Sequence, residues 1–179
     1  MSIYTKKGDS GQTDIFDSKN CNKVRVAKDN IRLQIIGSLD ELNSCLGIIT
    51  SLLEDKKEIV FITKIQKDLF TINSLIAGIK NINFPKTKVN YLEEKIDLLE
   101  KKLPKLTNFI LPGGSEVSSF YHLARSVTRR SERKIVSFSR QENINPSILA
   151  FINRLSDLFF VLSRWNNHNK GIKEIIWEK

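Results

Sequence analysis

The chain has few of the residues from which metal sites, disulfide scaffolds and hydrolytic triads are built. It contains two cysteines, two histidines and one methionine among 179 residues, and the cysteines form no CxxC pair. A zinc site or a disulfide framework is therefore not expected. The pattern GxxxxGK[ST] is also missing, which excludes the P-loop class of nucleotide-binding proteins.

Long apolar runs are lacking as well. The first residues, MSIYTKKGDSGQT, carry no apolar signal segment, and no run approaches the length of a membrane span. No repeat, low-complexity stretch or long linker divides the chain. We therefore expect one domain over residues 1–179, long enough to bury a real core, located in the cytoplasm and with no membrane partner.

Positive charge is in excess, but most of it is dispersed. The formal net charge is +9, which favours acidic partners such as nucleotides or nucleic acid. Lysines account for 20 of the 29 basic residues and are scattered along the chain. The nine arginines are not: four of them, Arg125, Arg129, Arg130 and Arg133, lie within nine residues of one another.

The segment 109–133 explains why those arginines are together. Pro112, Gly113 and Gly114 predict a turn, and Ser115 is a suitable N-cap for a following helix. One face of that helix is apolar or small, with Phe120, Ala124, Val127, Ser131, Ile135 and Phe138 at helical spacing. The opposite face carries His122, Arg125, Arg129, Glu132 and Arg133. Guanidinium groups so arranged can bind phosphate oxygens, although a solvated face with one internal salt bridge has the same pattern.

Hydrophobic periodicity predicts five helices. The first is expected to begin at Ser38, which forms an S-x-x-E capping box with Glu41. The second spans about 57–80, the third runs to Leu103 before Pro104, the fourth follows Ser115, and the fifth begins at Pro146. The predicted fold is all-α: a five-helix bundle over 38–169, with short extended pieces at the termini.

Two further polar segments are candidates for function. Residues 5–13, TKKGDSGQT, carry two glycines three apart beside lysines and hydroxyls, and such a loop can wrap backbone amides around a phosphate. A frayed basic tail is the alternative. In the fifth helix, Asn153, Ser156, Asp157 and Arg164 form a polar seam that predicts a buried, hydrogen-bonded network.

Four segments together resemble one family, the ATP:cob(I)alamin adenosyltransferases of the propanediol-utilisation type. The N-terminal TKxGDxGxT loop, the GSLDELNS stretch at 37–44, the FILPGGS segment with HxAR and RRSER, and NRLSD at 153–157 match its motifs in order. The resemblance implies a homotrimer with active sites between subunits. It also implies transfer of the 5′-deoxyadenosyl group of ATP to cob(I)alamin, with magnesium on the phosphates, and release of triphosphate.

The resemblance further implies roles for residues at matching positions. Glu132 would orient the arginines, and Phe109 would stand against the corrin and keep the lower axial ligand from cobalt. Asp40 would pair with Arg125 across the subunit boundary. Catalysis would rest on Arg129, Glu132 and Phe109, with no protein side chain binding metal. The ATP-binding set would be Thr5, Lys6, Lys7, Gly8, Thr13, Lys28, Arg129, Arg130, Glu132, Arg133 and Asn153.

Two other functions remain open on the residues alone. One is a helical protein that binds nucleotides or nucleic acid without catalysis; Glu132 interrupts its basic stripe, so nucleic acid is not expected as a partner. The other is a bundle that carries cobalamin. For the enzyme, a cobalamin reductase and a downstream adenosylcobalamin-dependent enzyme are the expected partners.

Overall fold

The computed structural model describes residues 4, 6–17, 22–79 and 81–178, and within them an N-terminal β-hairpin precedes five helices. The hairpin strands are β1 (Gln12–Asp17) and β2 (Asn22–Ala27). The helices are α1 (Ile31–Leu52), α2 (Lys56–Ile76), α3 (Thr87–Glu100), α4 (Glu116–Ser139) and α5 (Pro146–Asn169). The predicted all-α five-helix bundle with extended terminal pieces is confirmed.

The hairpin lies in the segment 1–30, for which we expected an N-terminal nucleotide-binding loop with a short extended piece and no helix. Its strands are antiparallel, with Gln12 opposite Ala27 and Asp17 opposite Asn22. An ion pair of 3.5 Å between Arg25 and Asp14 joins the two strands on an exposed face.

Helix α1 begins seven residues earlier than the capping box predicted, so the start of the bundle at residue 38 was wrong. The N-cap is Asn30, whose side chain accepts a hydrogen bond from the backbone N–H of Arg32. Ser38 lies in the second turn, buried, and its hydroxyl donates to the carbonyls of Gln34 and Ile35. A serine can satisfy its hydroxyl against the preceding turn in this way, and Gly37 is tolerated inside the helix.

The second and third helices end earlier than predicted. Helix α2 stops at Ile76, and Gly78 follows with φ of +108°. A Cβ at Gly78 would lie 2.4 Å from the carbonyl oxygen of Phe16. The hairpin therefore approaches the end of α2 so closely that a residue larger than glycine would clash with it. Helix α3 stops at Glu100 and is followed by a turn, three residues before the predicted last residue Leu103.

The starts of the last two helices were predicted correctly. The hydroxyl of Ser115 accepts from the N–H of Ser118, and the side chain of Asn145 accepts from the N–H of Ser147. Pro146 stands at the first position of α5, where its missing N–H costs no hydrogen bond. These caps fix where α4 and α5 enter the bundle.

The core lies around α4 and α5. Helix α4 packs on α1 and α5, α3 packs on α5, and α1 packs on α2. The predicted stripe of α4 faces inward, with Ala124 and Ile135 fully buried. Tyr121 stacks on Phe159 at 6.0 Å between ring centroids, and its hydroxyl donates to Glu58 at 2.8 Å. These contacts tie α2, α4 and α5 together.

Helix α5 is the one described helix whose length and hydropathy would suffice to cross a membrane. Its apolar side chains are buried among the other helices of the bundle, including Phe151, Leu155 and Phe159. Its polar side chains make specific contacts with neighbouring segments, as described below. The composition of α5 is that of the central helix of a bundle.

Candidate functional site

The arginine face of α4 is partly as predicted. Arg129, Arg130 and Arg133 are exposed, whereas Arg125 is half-buried with its guanidinium 5.4 Å from the ring centre of Phe160. Arg129 and Arg133 form no ion pair or hydrogen bond within the described ranges. Two guanidinium groups one turn apart are therefore free to bind an anion.

His122 was wrongly placed on that face, because its side chain is buried. It is 5% exposed, its ring packs edge-on against Phe160, and neither ring nitrogen has a hydrogen-bond partner among the described residues. Burial lowers the pKa of His122, and the nearby charge of Arg125 lowers it further, while Glu174 acts in the opposite direction. The imidazole is thus held in its neutral form.

Glu132 and Asn153 meet at the centre of the exposed face. The Asn153 amide donates to the Glu132 carboxylate at 2.8 Å, which links α5 to α4 beside Arg129 and Arg133. Asn153 is exposed, as is Asp157, which pairs with Arg154 at 3.0 Å. The predicted buried seam was therefore wrong for these two positions; only its other two members, Ser156 and Arg164, are buried.

Arg130 is held differently from its neighbours. It forms an ion pair with Glu41 of α1, on the exposed side of the bundle. Lys134, one turn further along α4, donates to the carbonyl of Gln34 at 3.2 Å. Part of the basic face is thus anchored to α1, and Arg129 and Arg133 are the members of the predicted arginine set that have no such anchor or aromatic neighbour in the described structure.

The N-terminal loop brings Lys28 and Gly8 together. The Lys28 ammonium lies 3.2 Å from where a Cβ of Gly8 would be, and the Lys28 N–H donates to the carbonyl of Gly11 at 2.9 Å. Lys6 has φ of +58°, and the loop closes through a hydrogen bond between Gly11 N–H and Gly8 O. Lys7 and Thr13 flank this loop, and Thr5 lies outside the described residues.

The loop and the arginine face are not joined within the protomer. No hydrogen bond or ion pair connects residues 6–11 or Lys28 to α4 in the part of the chain that the structure describes. Each half presents positive charge, with an ammonium group at Lys28 and guanidinium groups at Arg129 and Arg133.

Phe109 stands on the surface at the edge of an apolar cavity of about 770 Å³. Its side chain is 79% exposed, and its ring lies edge-on to Trp177 at 6.4 Å between centroids. The other lining residues are Leu106, Thr107, Asn108, Ile176 and Glu178. An exposed aromatic ring beside so large an apolar cavity is typical of a binding surface.

The C-terminal segment holds the backbone of Phe109. The Trp177 N–H donates to the Phe109 carbonyl and the Leu111 N–H donates to the Ile175 carbonyl, both at 2.8 Å. Ile110 and Ile176 form the antiparallel bridge between them. The extended piece predicted at this end of the chain is thus confirmed, and it forms one wall of the cavity.

The turn after Phe109 is fixed by a residue that the sequence did not indicate. The Asn167 side chain accepts from the Ser115 N–H at 2.9 Å and donates to the Gly113 carbonyl at 3.0 Å. Asn167 is 3% exposed and stands 52 residues further along the chain. No local pattern relates an asparagine near the end of α5 to a turn before α4, so sequence reasoning had no means of finding this contact.

Asp40 lies in a shallow groove between α1 and α2. The groove is lined by Asp40, Asn43, Ser44, Gly47, Thr63, Gln66, Lys67 and Phe70. Phe70 is 62% exposed there, and the side-chain oxygen of Asn43 is buried without a hydrogen-bond partner in the described structure. Asp40 and Arg125 form no ion pair with each other within the described part of the protomer.

Metal-binding side chains do not gather in the described ranges. No group of three or more histidine, cysteine, aspartate or glutamate residues is placed to hold an ion there. Cys45 is buried, and its thiol donates to the Phe120 carbonyl at 3.6 Å. Burial raises the pKa of the Cys45 thiol, with a smaller effect of Glu41, which favours the protonated thiol over the thiolate. Cys21 lies outside the described residues.

Comparison with known proteins places this geometry in a family. A family model described as cobalamin adenosyltransferase matches residues 3–166. The corrinoid adenosyltransferase of Bacillus subtilis is 36% identical over all of this chain and 93% of its own length. The corrinoid adenosyltransferase PduO of Salmonella typhimurium is 33% identical over 99% of this chain, which spans about half (53%) of that protein.

Solved structures give the same result. A phenylalanine-to-histidine variant of the PduO-type ATP:corrinoid adenosyltransferase from Lactobacillus reuteri, complexed with cobalamin and ATP, is 36% identical with a TM-score of 0.91, covering 99% of this chain and 97% of that one. An arginine-to-lysine variant from the same organism, complexed with ATP, is 37% identical with a TM-score of 0.89, covering 98% and 100%. The family match, the sequence identities and the shared fold lead to one conclusion: the chain belongs to the cobalamin adenosyltransferase family.

Proposed function

We propose that this protein transfers the 5′-deoxyadenosyl group of ATP to cob(I)alamin, giving adenosylcobalamin and triphosphate. The observation that carries the assignment is the pairing of two surfaces on one family scaffold. One is the free arginine pair with its Glu132–Asn153 contact, and the other is the apolar cavity with the exposed ring of Phe109. The first suits a triphosphate and the second a corrin.

The residue types fit a displacement that needs no protein base. The electron pair of cobalt(I) attacks C5′ of ATP and forms the cobalt–carbon bond. The bond from C5′ to the triphosphate oxygen breaks, and its electron pair leaves with triphosphate; cobalt is formally oxidised to cobalt(III). The protein has to align C5′ with cobalt and stabilise the leaving anion.

The cationic residues supply that stabilisation. Arg129 and Arg133 are free to contact phosphate oxygens, and Glu132, held by Asn153, orients them. Arg130 contributes from its anchored position beside Glu41. The N-terminal loop adds its amides and ammonium groups to the same triphosphate, from Thr5, Lys6, Lys7, Gly8, Thr13 and Lys28. Asn153 also contacts ATP.

Phe109 acts on the other substrate. Its ring occupies the position beside cobalt that the lower axial ligand would take, and it keeps water away from that face. Cobalt(II) without an axial ligand is more easily reduced to cobalt(I), so the protein tunes the metal of its substrate through an apolar side chain. A cobalamin reductase supplies the electron, and an adenosylcobalamin-dependent enzyme receives the product.

The active site is completed by assembly into a homotrimer. The groove around Asp40 offers a carboxylate, an unpaired Asn43 oxygen and small residues for close approach of another helix. Arg125 of the neighbouring subunit pairs with Asp40 in this arrangement. The N-terminal loop of one subunit then faces the arginines of the next, which accounts for the lack of contact between them within the protomer.

Magnesium enters with ATP. Within the described residues, no group of three or more acidic, histidine or cysteine side chains is placed to hold the ion. We propose phosphate oxygens and water as its ligands, and no step is assigned to a protein-bound metal. The same soluble substrates and the core packing of α5 suit a cytoplasmic location.

An anaerobic assay tests the function. Protein, Mg-ATP and chemically reduced cobalamin are mixed, and the visible spectrum and the released phosphates are followed. We expect conversion to adenosylcobalamin that depends on protein, with one triphosphate released for each cobalamin converted. No conversion with ATP bound would overturn the proposal in favour of a carrier, and salt-sensitive binding of polynucleotide would favour a nucleic-acid-binding protein.

A further inference from the structure

The position of Phe109 is set by backbone contacts and not by packing of its own side chain. The ring is 79% exposed, and Trp177 is the aromatic neighbour that it contacts. The segment that carries it joins α3 to α4 without regular secondary structure, apart from the bridge at Ile110. Whatever holds the two ends of this segment therefore determines where the ring stands.

Asn167 holds the end that follows Phe109. Its side chain uses both functions of the amide, accepting from Ser115 N–H and donating to the Gly113 carbonyl. At Gly114, where φ is +107°, a Cβ would lie 2.2 Å from the Asn167 side-chain oxygen. The turn thus lies directly on the asparagine, and a glycine is required at that point of contact.

Asn167 also lies at the start of the C-terminal segment, and the far end of that segment is hydrogen-bonded to the backbone around Phe109. Gly171, with φ of +64°, ends α5, and the N–H of Ile172 donates to the backbone carbonyl of Asn167 at 2.9 Å. Such a left-handed cap sets the direction in which the chain leaves a helix. From there the chain runs to Ile175 and Trp177, which bond to the backbone on either side of Ile110.

We propose that Asn167 is a positioning residue for adenosyl transfer, which acts by holding the Pro112–Gly114 turn in register with the C-terminal segment and so fixes Phe109 against the corrin. This inference rests on the proposed function for its catalytic consequence. Its structural half, that Asn167 determines how firmly the segment of Phe109 is held, can be tested in the protein without ligands. Asn167 touches neither substrate in this scheme.

The chain offers a matched control next to it. Asn166 is also buried in α5, but its amide donates to Glu58 and to the Leu162 carbonyl, on the side facing α2. The variants are therefore Asn167→Ala, Asn167→Asp and Asn166→Ala. Aspartate keeps the acceptor for the Ser115 N–H and loses the donor to the Gly113 carbonyl, so we expect a partial effect. This variant also keeps the test possible if Asn167→Ala does not fold.

Hydrogen exchange on the ligand-free protein is the first measurement. In Asn167→Ala we expect the amides of Ser115, Leu111 and Trp177 to exchange about tenfold faster than in the wild type, because the local opening that exposes them costs less. Asn167→Asp should lie between the two, and Asn166→Ala should leave these three amides unchanged. Faster exchange at Ser115 alone would overturn the proposal, since the segment of Phe109 would then be held without Asn167.

The second measurement follows the axial ligand. With ATP present, the fraction of bound cob(II)alamin that has lost its lower ligand, read from electron paramagnetic resonance and visible spectra, should fall about fivefold in Asn167→Ala. The dissociation constant for ATP should change less than about twofold, because the turn does not belong to the phosphate site. Turnover from chemically prepared cob(I)alamin should fall less than turnover from cob(II)alamin with an electron donor, because cob(I)alamin has no lower ligand to lose.

These results distinguish a failure of the positioning role of Asn167 from a failure of the proposed function. Equal losses in Asn167→Ala and Asn166→Ala would identify a general loss of stability and would overturn the positioning role. A wild-type protein that fails to adenosylate cobalamin would overturn the proposed function, and the exchange measurement would still show whether Asn167 fixes Phe109.

Discussion

At the scale of single residues, the arginines of α4 differ in the side chains that they contact. Arg130 is paired with Glu41, and Arg125 lies over Phe160, whereas Arg129 and Arg133 have no charged or hydrogen-bonded partner in the described chain. A side chain without partners contributes little to the stability of the fold. Because it is not engaged in another ion pair, such a side chain can use its charge and its N–H donors to bind an anion.

Replacing Arg129 should therefore separate catalysis from folding. We expect Arg129→Ala to slow adenosyl transfer about 100- to 1,000-fold, because one fixed positive charge on the leaving triphosphate is lost. The free energy of unfolding should change by less than about 0.5 kcal/mol, since the side chain is exposed. The anaerobic assay and chemical denaturation measure the two quantities. Arg140→Ala, at the exposed C-terminal end of α4, is the control and should retain activity; wild-type turnover in Arg129→Ala would refute the role.

His122 makes the stability of the protein depend on pH. Burial and Arg125 depress its pKa in the folded state, so the unfolded chain binds the proton more readily. Its contribution to stability is complete above the unfolded pKa of about 6.5 and is lost as the pH falls toward the depressed value.

The wild type should therefore unfold more easily at about pH 5.5 than at about pH 7.5, and His122→Asn should reduce that difference. Denaturant titrations at the two pH values measure it. His168→Asn, at the exposed end of α5, should keep the wild-type difference. An unchanged pH dependence in His122→Asn would show that another group is responsible.

His122 also shows what spacing can and cannot predict for a single side chain. Its position three residues before Arg125 predicted that it would be exposed beside the arginines, but Phe160 of α5 packs against its ring and the side chain is buried. Helical spacing indicates the direction of a side chain and not which residues of a neighbouring helix cover it. The same spacing was therefore a correct guide to Arg129 and Arg133 and a wrong one for His122.

At the scale of elements, the C-terminal segment depends on one buried arginine. Arg164 donates to Glu174 at 2.9 Å and to the Pro104 carbonyl at 3.0 Å, so α5 holds both the C-terminal segment and the end of the α3 turn. Arg164 is 7% exposed, and its removal leaves Glu174, which is also largely covered, without its partner.

We expect Arg164→Ala to lower the free energy of unfolding by about 2 kcal/mol and to increase hydrogen exchange across 172–177. Arg154 is the matched control, since it also sits on α5 and forms two ion pairs, but with exposed partners. Arg154→Ala should cost less than about 1 kcal/mol and leave that segment protected. Equal effects of the two substitutions would contradict the distinction drawn here between buried and exposed pairs.

Hydrophobic periodicity predicted that the helices exist. It predicted where a helix starts correctly only where one N-cap residue determines the start. Ser115 and Asn145 follow a turn or a polar stretch, so no helical residue could precede them. Ser38 satisfies the same sequence rule but follows Ile31–Gly37, which continue the helix. A capping box shows that a residue is able to cap a helix. Whether the helix begins there depends on the residues that precede it.

At the scale of the whole molecule, the proposed site divides into two parts, the N-terminal loop and the arginine face of α4. No hydrogen bond or ion pair joins these two parts within the described residues, and the proposed trimer would bring them together. Contacts between residues far apart in the chain, such as Asn167 with the turn at 112–114, could not be read from the sequence either. The family resemblance indicated the candidate site residues, and the structure shows the contacts that hold those of them that it describes.

Assembly should depend on Asp40. In the proposed trimer, Asp40 pairs with Arg125 of the neighbouring subunit, so we expect Asp40→Asn to shift the protein toward smaller species at low concentration. Sedimentation velocity at several concentrations measures the distribution. Glu41→Gln is the neighbouring control: Glu41 pairs with Arg130 inside the protomer, so this variant should remain trimeric. A trimer of unchanged stability in Asp40→Asn would count against the pair.

The contact between Phe109 and Trp177 gives the molecule an optical label at the surface that we propose binds the corrin. The chain has two tryptophans, and the other one, Trp165, packs with His168 on α5. In a Trp165→Phe background all indole emission would come from the cavity wall. A corrin absorbs strongly in the range where tryptophan emits, so loss of emission on titration would report occupancy of each site directly, without waiting for the reaction to occur.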